Sequence, residues 1–331
     1  MDELIPLLRL LADGDTHSGN RLGERLGISR AAVWKRLARL QALGVPLEAR
    51  PGRGYRLAQP IDLLDGAALK AALAPATRAR LAAIDLLPTV DSTNAHLARL
   101  APWPAPRACL AEHQSAGRGR RGRPWVSPLG ASLYLSLAWP FRERPAALET
   151  LALRAALAVA EALEDLGLPG VGLKWPNDLV ADGRKLAGIL IELQGEWGGA
   201  QQAIVGVGVN VHLPPEAART IDRPWTDLAT LMGPERPSRT ALAAALLDRL
   251  CATLERLERS EDDDWRERWR ARELYRGEPV RLLQEGGEIQ GVYRGIAEDG
   301  ALLLESDGRL RRCYAGEMSL RPAHADPETT P

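Results

Sequence analysis

The feature that most constrains this chain is that its hydrophobic period changes twice. Up to about residue 60, apolar residues recur three and four positions apart, as amphipathic helices require. Leu4, Leu7, Leu8, Leu10 and Leu11 mark one helix, Leu22 and Leu26 a second, and Ala31, Val33, Leu37, Leu40 and Leu43 a third. From about Ala83 to Tyr275, strand-like runs alternate with helical ones, and over 277–320 only short strands remain. No single bundle or sheet satisfies all three patterns, so the 331 residues are expected to form several units of an α+β multi-domain protein. The expected divisions are 1–60, a linker with a short helix over 61–82, a mixed α/β unit over 83–275, a small β unit over 276–322 and a flexible tail over 323–331.

The first unit has the marks of a winged helix-turn-helix. Ser18 is a suitable cap for a helix over Gly19–Leu26, Gly27-Ile28 makes a tight turn, and Ser29 caps a helix over Arg30–Leu43. Val45–Ala49 and Tyr55–Leu57 flank Arg50–Gly54, a hairpin with a basic, glycine-rich tip. The chain as a whole is neutral, with 43 Lys and Arg against 43 Asp and Glu, but residues 1–60 hold ten basic residues against six acidic ones. A helix that fits the major groove, flanked by cations for phosphates, is what DNA reading needs. Ser29, Arg30, Lys35, Arg36 and Arg39, with Arg53 in the wing, are the expected DNA contacts. The competing reading, a packing module with a solvated basic face, leaves the tight turn, basic helix and basic wing as three coincidences.

Other classes are excluded. The longest apolar stretch, Ala146–Leu163, is broken by Glu149, Arg154 and Glu161, so no membrane span and no membrane partner are expected. Asp2 and Glu3 occupy the place where a signal peptide is basic. Cys109, Cys251 and Cys313 are too scattered for a disulfide framework or a zinc site, which predicts buried thiols in a cytoplasmic protein.

In the middle unit, strands are expected at Ala108–Glu112, Ser132–Ala138, Gly172–Lys174, Lys185–Leu193 and Gln202–Val209, and helices at Thr93–Arg99, Pro145–Leu166 and Arg239–Arg259. Four segments there are able to carry chemistry. Glu112–Trp125, EHQSAGRGRRGRPW, matches G-x-G-x-x-G, but Pro124 and Pro128 prevent the helix that a dinucleotide fold needs. It reads instead as a mobile loop whose Arg118, Arg120, Arg121 and Arg123 gather around an anion, or else as a solvated basic loop or a nucleic-acid contact. In Lys174–Gly188, KWPNDLVADGRKLAG, Lys185 enters an apolar strand and needs a counter-charge: a bound carboxylate or phosphate, or else Asp178 or Asp182. In Val205–Asn210, Gly206 and Gly208 lie on one strand face and leave room for a flat ligand or for tight packing, with the Asn210 amide at the end. Asp91–Asn94, DSTN, either caps a helix or holds a small polar ligand. The C-terminal unit is punctuated by Gly286-Gly287, Asp299-Gly300 and Asp307-Gly308, which are hairpin signals.

Taken in order, DSTN, EHQSAGRGRRGRPW, KWPND…RKLAGIL and GVGVN resemble the biotin–protein ligases, and RPGRGYRL with DGALLLESDG…GEMSLR resembles their bifunctional bacterial type, which doubles as a repressor. The resemblance runs from about Leu4 to Arg321. It implies a class II synthetase-like ligase domain followed by an SH3-like β-barrel. It also implies formation of biotinoyl-5′-AMP from biotin and ATP with Mg2+, then transfer of biotin to a lysine of the biotin carboxyl carrier protein of acetyl-CoA carboxylase. By matched position, Ser92, Thr93, Asn94 and Gln114 hold the polar head of biotin; Arg118, Gly119 and Arg120 contact carboxylate and phosphate; and Gly188, Gly206 and Gly208 line the pocket. Lys185 contacts both reacting anions, and with Arg118 and Arg120 it makes up the catalytic set. Arg121, Trp125, Asn210, Trp225 and Arg321 attend the nucleotide, Asp178 is the expected metal contact, and Pro214, Pro215 and Pro224 bracket the loop that carries Trp225. Operator DNA and a homodimer formed when the adenylate is bound complete the implied partners. The alternatives are a ligand-sensing transcription factor without catalysis, a ligase without a physiological repressor role, and a lipoyl or octanoyl ligase.

Overall fold

The computed structural model describes residues 3–141, 148–195, 201–261, 264–284, 287–315 and 319–323. The tail over 324–331, the expected helix start at Pro145 and Gly286 of one turn lie outside the described residues.

The N-terminal unit comprises α1 (Ile5–Leu11), α2 (Gly19–Leu26), α3 (Arg30–Ala42) and a hairpin of β1 (Leu47–Arg50) and β2 (Gly54–Leu57). Both serine caps form, with Ser18 Oγ accepting from Arg21 N and Ser29 Oγ from Ala32 N, each at 3.2 Å. Gly27 ends α2 at φ 64, a conformation that favours glycine. The helical apolar stripes converge on one core that includes Leu7, Leu8, Leu11, Leu22, Val33, Leu37 and Leu40.

Residues 61–82 do more than connect. They hold α4 (Gly66–Ala72) and α5 (Pro75–Arg80), and Leu64, Leu69 and Leu73 are buried in the core of the middle unit. That unit continues with β3 (Ala83–Leu87), α6 (Thr93–Arg99), β4 (Arg107–Ala111), β5 (Ser132–Phe141), α7 (Leu151–Asp165), β6 (Gly172–Lys174), β7 (Asp178–Ala181), β8 (Arg184–Gly195) and β9 (Gln201–Asn210). Two short helices, α8 (Pro215–Ala218) and α9 (Leu228–Met232), precede the long α10 (Arg239–Arg259) and α11 (Trp265–Arg270). The sheet order is β3-β4-β5-β9-β8-β7-β6, with β3 and β4 parallel and the other neighbours antiparallel. Alternation fixes its two faces. Leu133, Leu135 and Leu137 of β5, with Val205, Val207 and Val209 of β9, join the core beneath α7 and α10. The intervening Tyr134, Ser136, Gly206 and Gly208 look the other way, toward the face on which α6 packs.

The C-terminal unit is all strand, as its pattern indicates: β10 (Pro279–Gln284), β11 (Gly287–Ile296), β12 (Leu302–Ser306), β13 (Arg309–Cys313) and β14 (Ser319–Pro322) form one antiparallel sheet in the order β13-β12-β11-β10-β14. Its Leu282, Tyr293, Leu302, Leu304 and Leu320 merge with the main core. A buried ion pair ties the segments together. Arg239 of α10 donates to the Glu112 carboxylate, to Ser132 O at 3.0 Å and to Asp62 O at 2.8 Å, while Glu112 also accepts from Leu64 N at 2.8 Å. All three cysteines are buried thiols. Among the described residues, no helix is long and apolar enough to cross a membrane.

Candidate functional site

The site is built on the α6 side of the sheet. Strand register sets Tyr134, Gly208, Gly188, Asp178 and Lys174 in one row across β5, β9, β8, β7 and β6. The neighbouring rows are Ser136, Gly206, Leu190 and then Ala138, Ile204, Glu192. Residues in one row share a face, so the three glycines lie between a polar end and a charged end.

The polar end is a closed hydrogen-bond cluster. Ser136 Oγ lies 2.7 Å from Thr93 Oγ1 and 2.6 Å from Asn94 Oδ1. Thr93 N donates to Gln114 Oε1 at 2.9 Å, and Gln114 Nε2 donates to Ser127 Oγ at 3.1 Å. Asn94 Nδ2 donates to the Glu192 carboxylate at 2.8 Å. Ser92 stands at the N-cap position of α6 without a side-chain capping bond, so capping does not account for DSTN. Asp91, by contrast, is held by Arg99, and this hydrogen bond lowers its carboxyl to about 2.

Lys185 marks the charged end. A β-bulge explains why its side chain reaches this face. Leu179 pairs with Ala187 but Val180 pairs with Lys185, so one extra residue, Leu186, reverses the alternation. Leu186 enters the core, while the Lys185 ammonium donates to Asp178 and sits 5.2 Å from the Trp125 ring centroid. The counter-charge left open by the sequence is therefore Asp178 here. That carboxylate was the expected metal contact. It is engaged by lysine, and the described residues contain no group of three or more carboxylate, imidazole or thiol donors placed to hold a metal ion.

The paired glycines do not leave open space. A Cβ on Gly206 would strike the Asn94 amide, and one on Gly208 would lie 2.7 Å from the Trp125 indole. Glycine is needed so that these two side chains can lie on the strand. Trp125 Nε1 is buried without a hydrogen-bond partner among the described residues, an orphan donor facing the site.

In the structure the arginine loop forms a closed hairpin. Arg118 bridges Pro124, Gly119 N donates to Arg123 O at 2.7 Å, and Trp125 N donates to Gly117 O at 2.9 Å. Two of its arginines find acceptors within the chain. Arg118 Nη2 donates to Glu192 at 2.8 Å, and Arg120 donates to Asn177 Oδ1 at 3.4 Å and to the carbonyl of Ala315 in the C-terminal unit. Burial, with help from Arg121, pushes the Arg120 guanidinium down from its ordinary value, and Asp178 opposes the shift. Burial likewise lowers Arg321, assisted by Arg223 and Arg123.

Asn210 and Trp225 belong to the closure of the proline-bracketed segment. Lys185 N donates to Pro224 O at 3.0 Å, Thr226 N donates to Lys185 O at 2.9 Å, and Asn210 Nδ2 donates to Thr226 O at 3.0 Å. The backbone of Trp225 is thereby bridged to that of Lys185.

Sequence reasoning missed three residues. Ser136 is visible in hindsight from the Ser132–Tyr134–Ser136 alternation, and Glu192 from counting by two from Gly188. Lys174 emerges only from its pairing with Asp178. Burial pushes Lys174 down to about 8, with Arg321, Lys185 and Arg223 adding to the shift and Asp178 opposing it. Of the expected DNA contacts, Arg30, Lys35 and Arg53 are exposed, Ser29 is spent as a cap, and Arg36 and Arg39 both reach Glu3.

A polar cluster, a glycine floor and a cationic hairpin on one sheet, joined to a helix-turn-helix, define a class. Residues 86–210 match the model of the biotin/lipoate A/B protein ligase family, residues 4–56 that of an HTH domain and residues 276–321 that of the biotin protein ligase C-terminal domain. The chain belongs to the biotin protein ligase family. It is 43% identical to the bifunctional ligase/repressor BirA of Salmonella typhimurium, over 97% of this chain and 99% of that protein. It is 42% identical to BirA of Escherichia coli, again over 97% and 99%. The biotin protein ligase of Aquifex aeolicus, solved in complex with biotin and ATP, is 30% identical, with a TM-score of 0.62 over 73% of this chain and all of that one.

Proposed function

We infer that the chain is a biotin protein ligase that also acts as a DNA-binding repressor. It condenses biotin with ATP to biotinoyl-5′-AMP and passes biotin to a lysine of the biotin carboxyl carrier protein of acetyl-CoA carboxylase. The observation that carries this reading is the single sheet face on which a satisfied amide and hydroxyl cluster lies across three glycines from an ammonium and several guanidinium groups.

Thr93, Asn94 and Gln114, with Ser92 and Ser136 beside them, offer both donors and acceptors to the cyclic urea of biotin. Its tail then lies along Gly206, Gly208 and Gly188 against Trp125. The reacting carboxylate and the α-phosphate are both anionic, and their approach is stabilised by Lys185, Arg118 and Arg120. Arg118 already holds a carboxylate, that of Glu192, in the manner substrate would be held. Gly119 lets the hairpin backbone approach the same anions, and Arg121, Asn210, Trp225 and Arg321 surround the nucleotide. Magnesium arrives as the counter-ion of ATP, with phosphate oxygens as its main ligands. Asp178 is tied to Lys185, so no step is assigned to a protein-held metal. The closed hairpin excludes water from an adenylate that hydrolyses readily. The sheet and the five C-terminal strands are read as class II synthetase-like and SH3-like architectures. Adenylate-loaded chains pair, and each α3 enters one half of a palindromic operator.

The test is incubation with biotin, ATP and an isolated carrier domain, followed by mass spectrometry of the carrier. A gain of one biotin is expected. Addition of lipoate in its place defines the lipoyl-ligase alternative, and no transfer of either acyl group leaves only a sensor. Equal affinity for operator and random duplex would remove the repressor half alone.

A further inference from the structure

We propose that Trp34 reads thymine in the major groove, as the sequence-specific element of the DNA-binding face. The inference rests on the repressor half of the proposed function. Helix α3 buries Val33, Leu37 and Leu40 as one stripe. Its opposite side presents Arg30, Ala31, Trp34, Lys35 and Ala38, all exposed. Trp34 is 61% exposed, the most exposed large hydrophobic side chain among the described residues. Trp34 stands on a face otherwise clothed in alanines and cations and joins none of the hydrophobic core clusters among the described residues.

Its surroundings say what covers it. Arg30, Ala31, Trp34, Gly19 and Tyr55 line one shallow concavity, so the indole stands where recognition helix and wing converge. Arg36 and Arg39, on the far flank, are drawn to Glu3. The cations beside the indole are Arg30 and Lys35, on either side of it. A positive frame around an apolar centre matches a groove rimmed by phosphates. Within that groove, the 5-methyl of thymine is the apolar feature a base pair offers, and the methyl groups of Ala31 and Ala38 extend the same strip. A second copy of the chain would meet repulsion between the two basic rims.

The experiment uses the full chain with biotin and ATP. Duplexes are enriched from a random-core library, and each thymine of the selected palindrome is then replaced in turn by uracil, which removes only the methyl. For the unaltered chain, one symmetric thymine per half-site should weaken binding about fourfold on replacement, the worth of one buried carbon. Trp34→Ala should bind the selected duplex roughly tenfold more weakly, bind random duplex as before, and lose its response to that uracil. Carrier biotinylation by the variant should be unchanged, which shows that the ligase unit folds, and unchanged binding of random duplex shows the same of the helix-turn-helix. The proposal is overturned if Trp34→Ala keeps the uracil response, or if it weakens random and selected duplex alike. It is also overturned if the substitution changes the sedimentation of the DNA-free chain, which would place Trp34 in a protein interface. If no duplex is enriched at all, the repressor reading fails and the proposal with it.

Discussion

Lys185 was legible because a lysine entering an apolar strand demands a counter-charge: in the structure Asp178 holds the ammonium, and under the proposed function an anionic substrate would compete for it. Lys185→Ala should therefore keep biotin affinity while slowing adenylate formation by about 10²–10³; rapid-quench measurement of biotinoyl-AMP checks this, and an unchanged rate removes Lys185 from the chemistry. Lys174 was not legible, since nothing in KWPND separates a half-buried lysine from a solvated one. Burial sets its pKa at about 8. Below that value the free enzyme carries the charge and favours phosphate; above it the charge is lost. The KM for ATP should thus rise roughly tenfold between pH 7 and 9, and Lys174→Arg, which stays charged, should flatten the profile. A steep rise retained by the arginine variant would assign the titration elsewhere.

Among the elements, capped or strongly periodic ones were readable to the residue. Gly19–Leu26, Thr93–Arg99 and Arg239–Arg259 were expected with the bounds observed, because Ser18 and Ser238 cap two of them and apolar spacing fixes the rest. What strand patterns conceal is pairing. The bulge at Leu186 cannot be seen from β8 alone, yet it decides which face Lys185 serves. The glycines of β9 announced a close approach but not by what, since Trp125 and Asn94 come from distant segments. A double-mutant cycle addresses that contact. Gly208→Ala should destabilise the chain by about 1–3 kcal/mol through overpacking, and most of that cost should vanish in a Trp125→Ala background, measured by urea unfolding. Additive losses would mean that the indole does not rest on Gly208.

At the scale of the molecule, the changes of period located the units but not what joins them. Leu129 lies between the arginine hairpin and β5, yet it is buried in the core of the helix-turn-helix unit, with Ile61 and Leu63 packed around it. Its neighbour Gly130 donates to Glu112 O at 2.9 Å, and Glu112 is the carboxylate that holds the buried Arg239. The segment that follows the arginine hairpin is thus part of the helix-turn-helix unit's interior, and under the proposed function it would be a route by which adenylate in the ligase site biases the DNA-binding face. No sequence pattern marks this, because a lone leucine after Pro128 reads as loop. Truncating a buried leucine costs about 2–5 kcal/mol, and here the loss should fall on the smaller unit. Leu129→Ala is expected to split the calorimetric transition, with the helix-turn-helix melting first, while adenylate formation stays within about twofold because no catalytic group moves. Operator affinity should then respond less to biotin and ATP than in the unaltered chain. A single transition at the original midpoint, with full ligand response, would show that the two units communicate by another path.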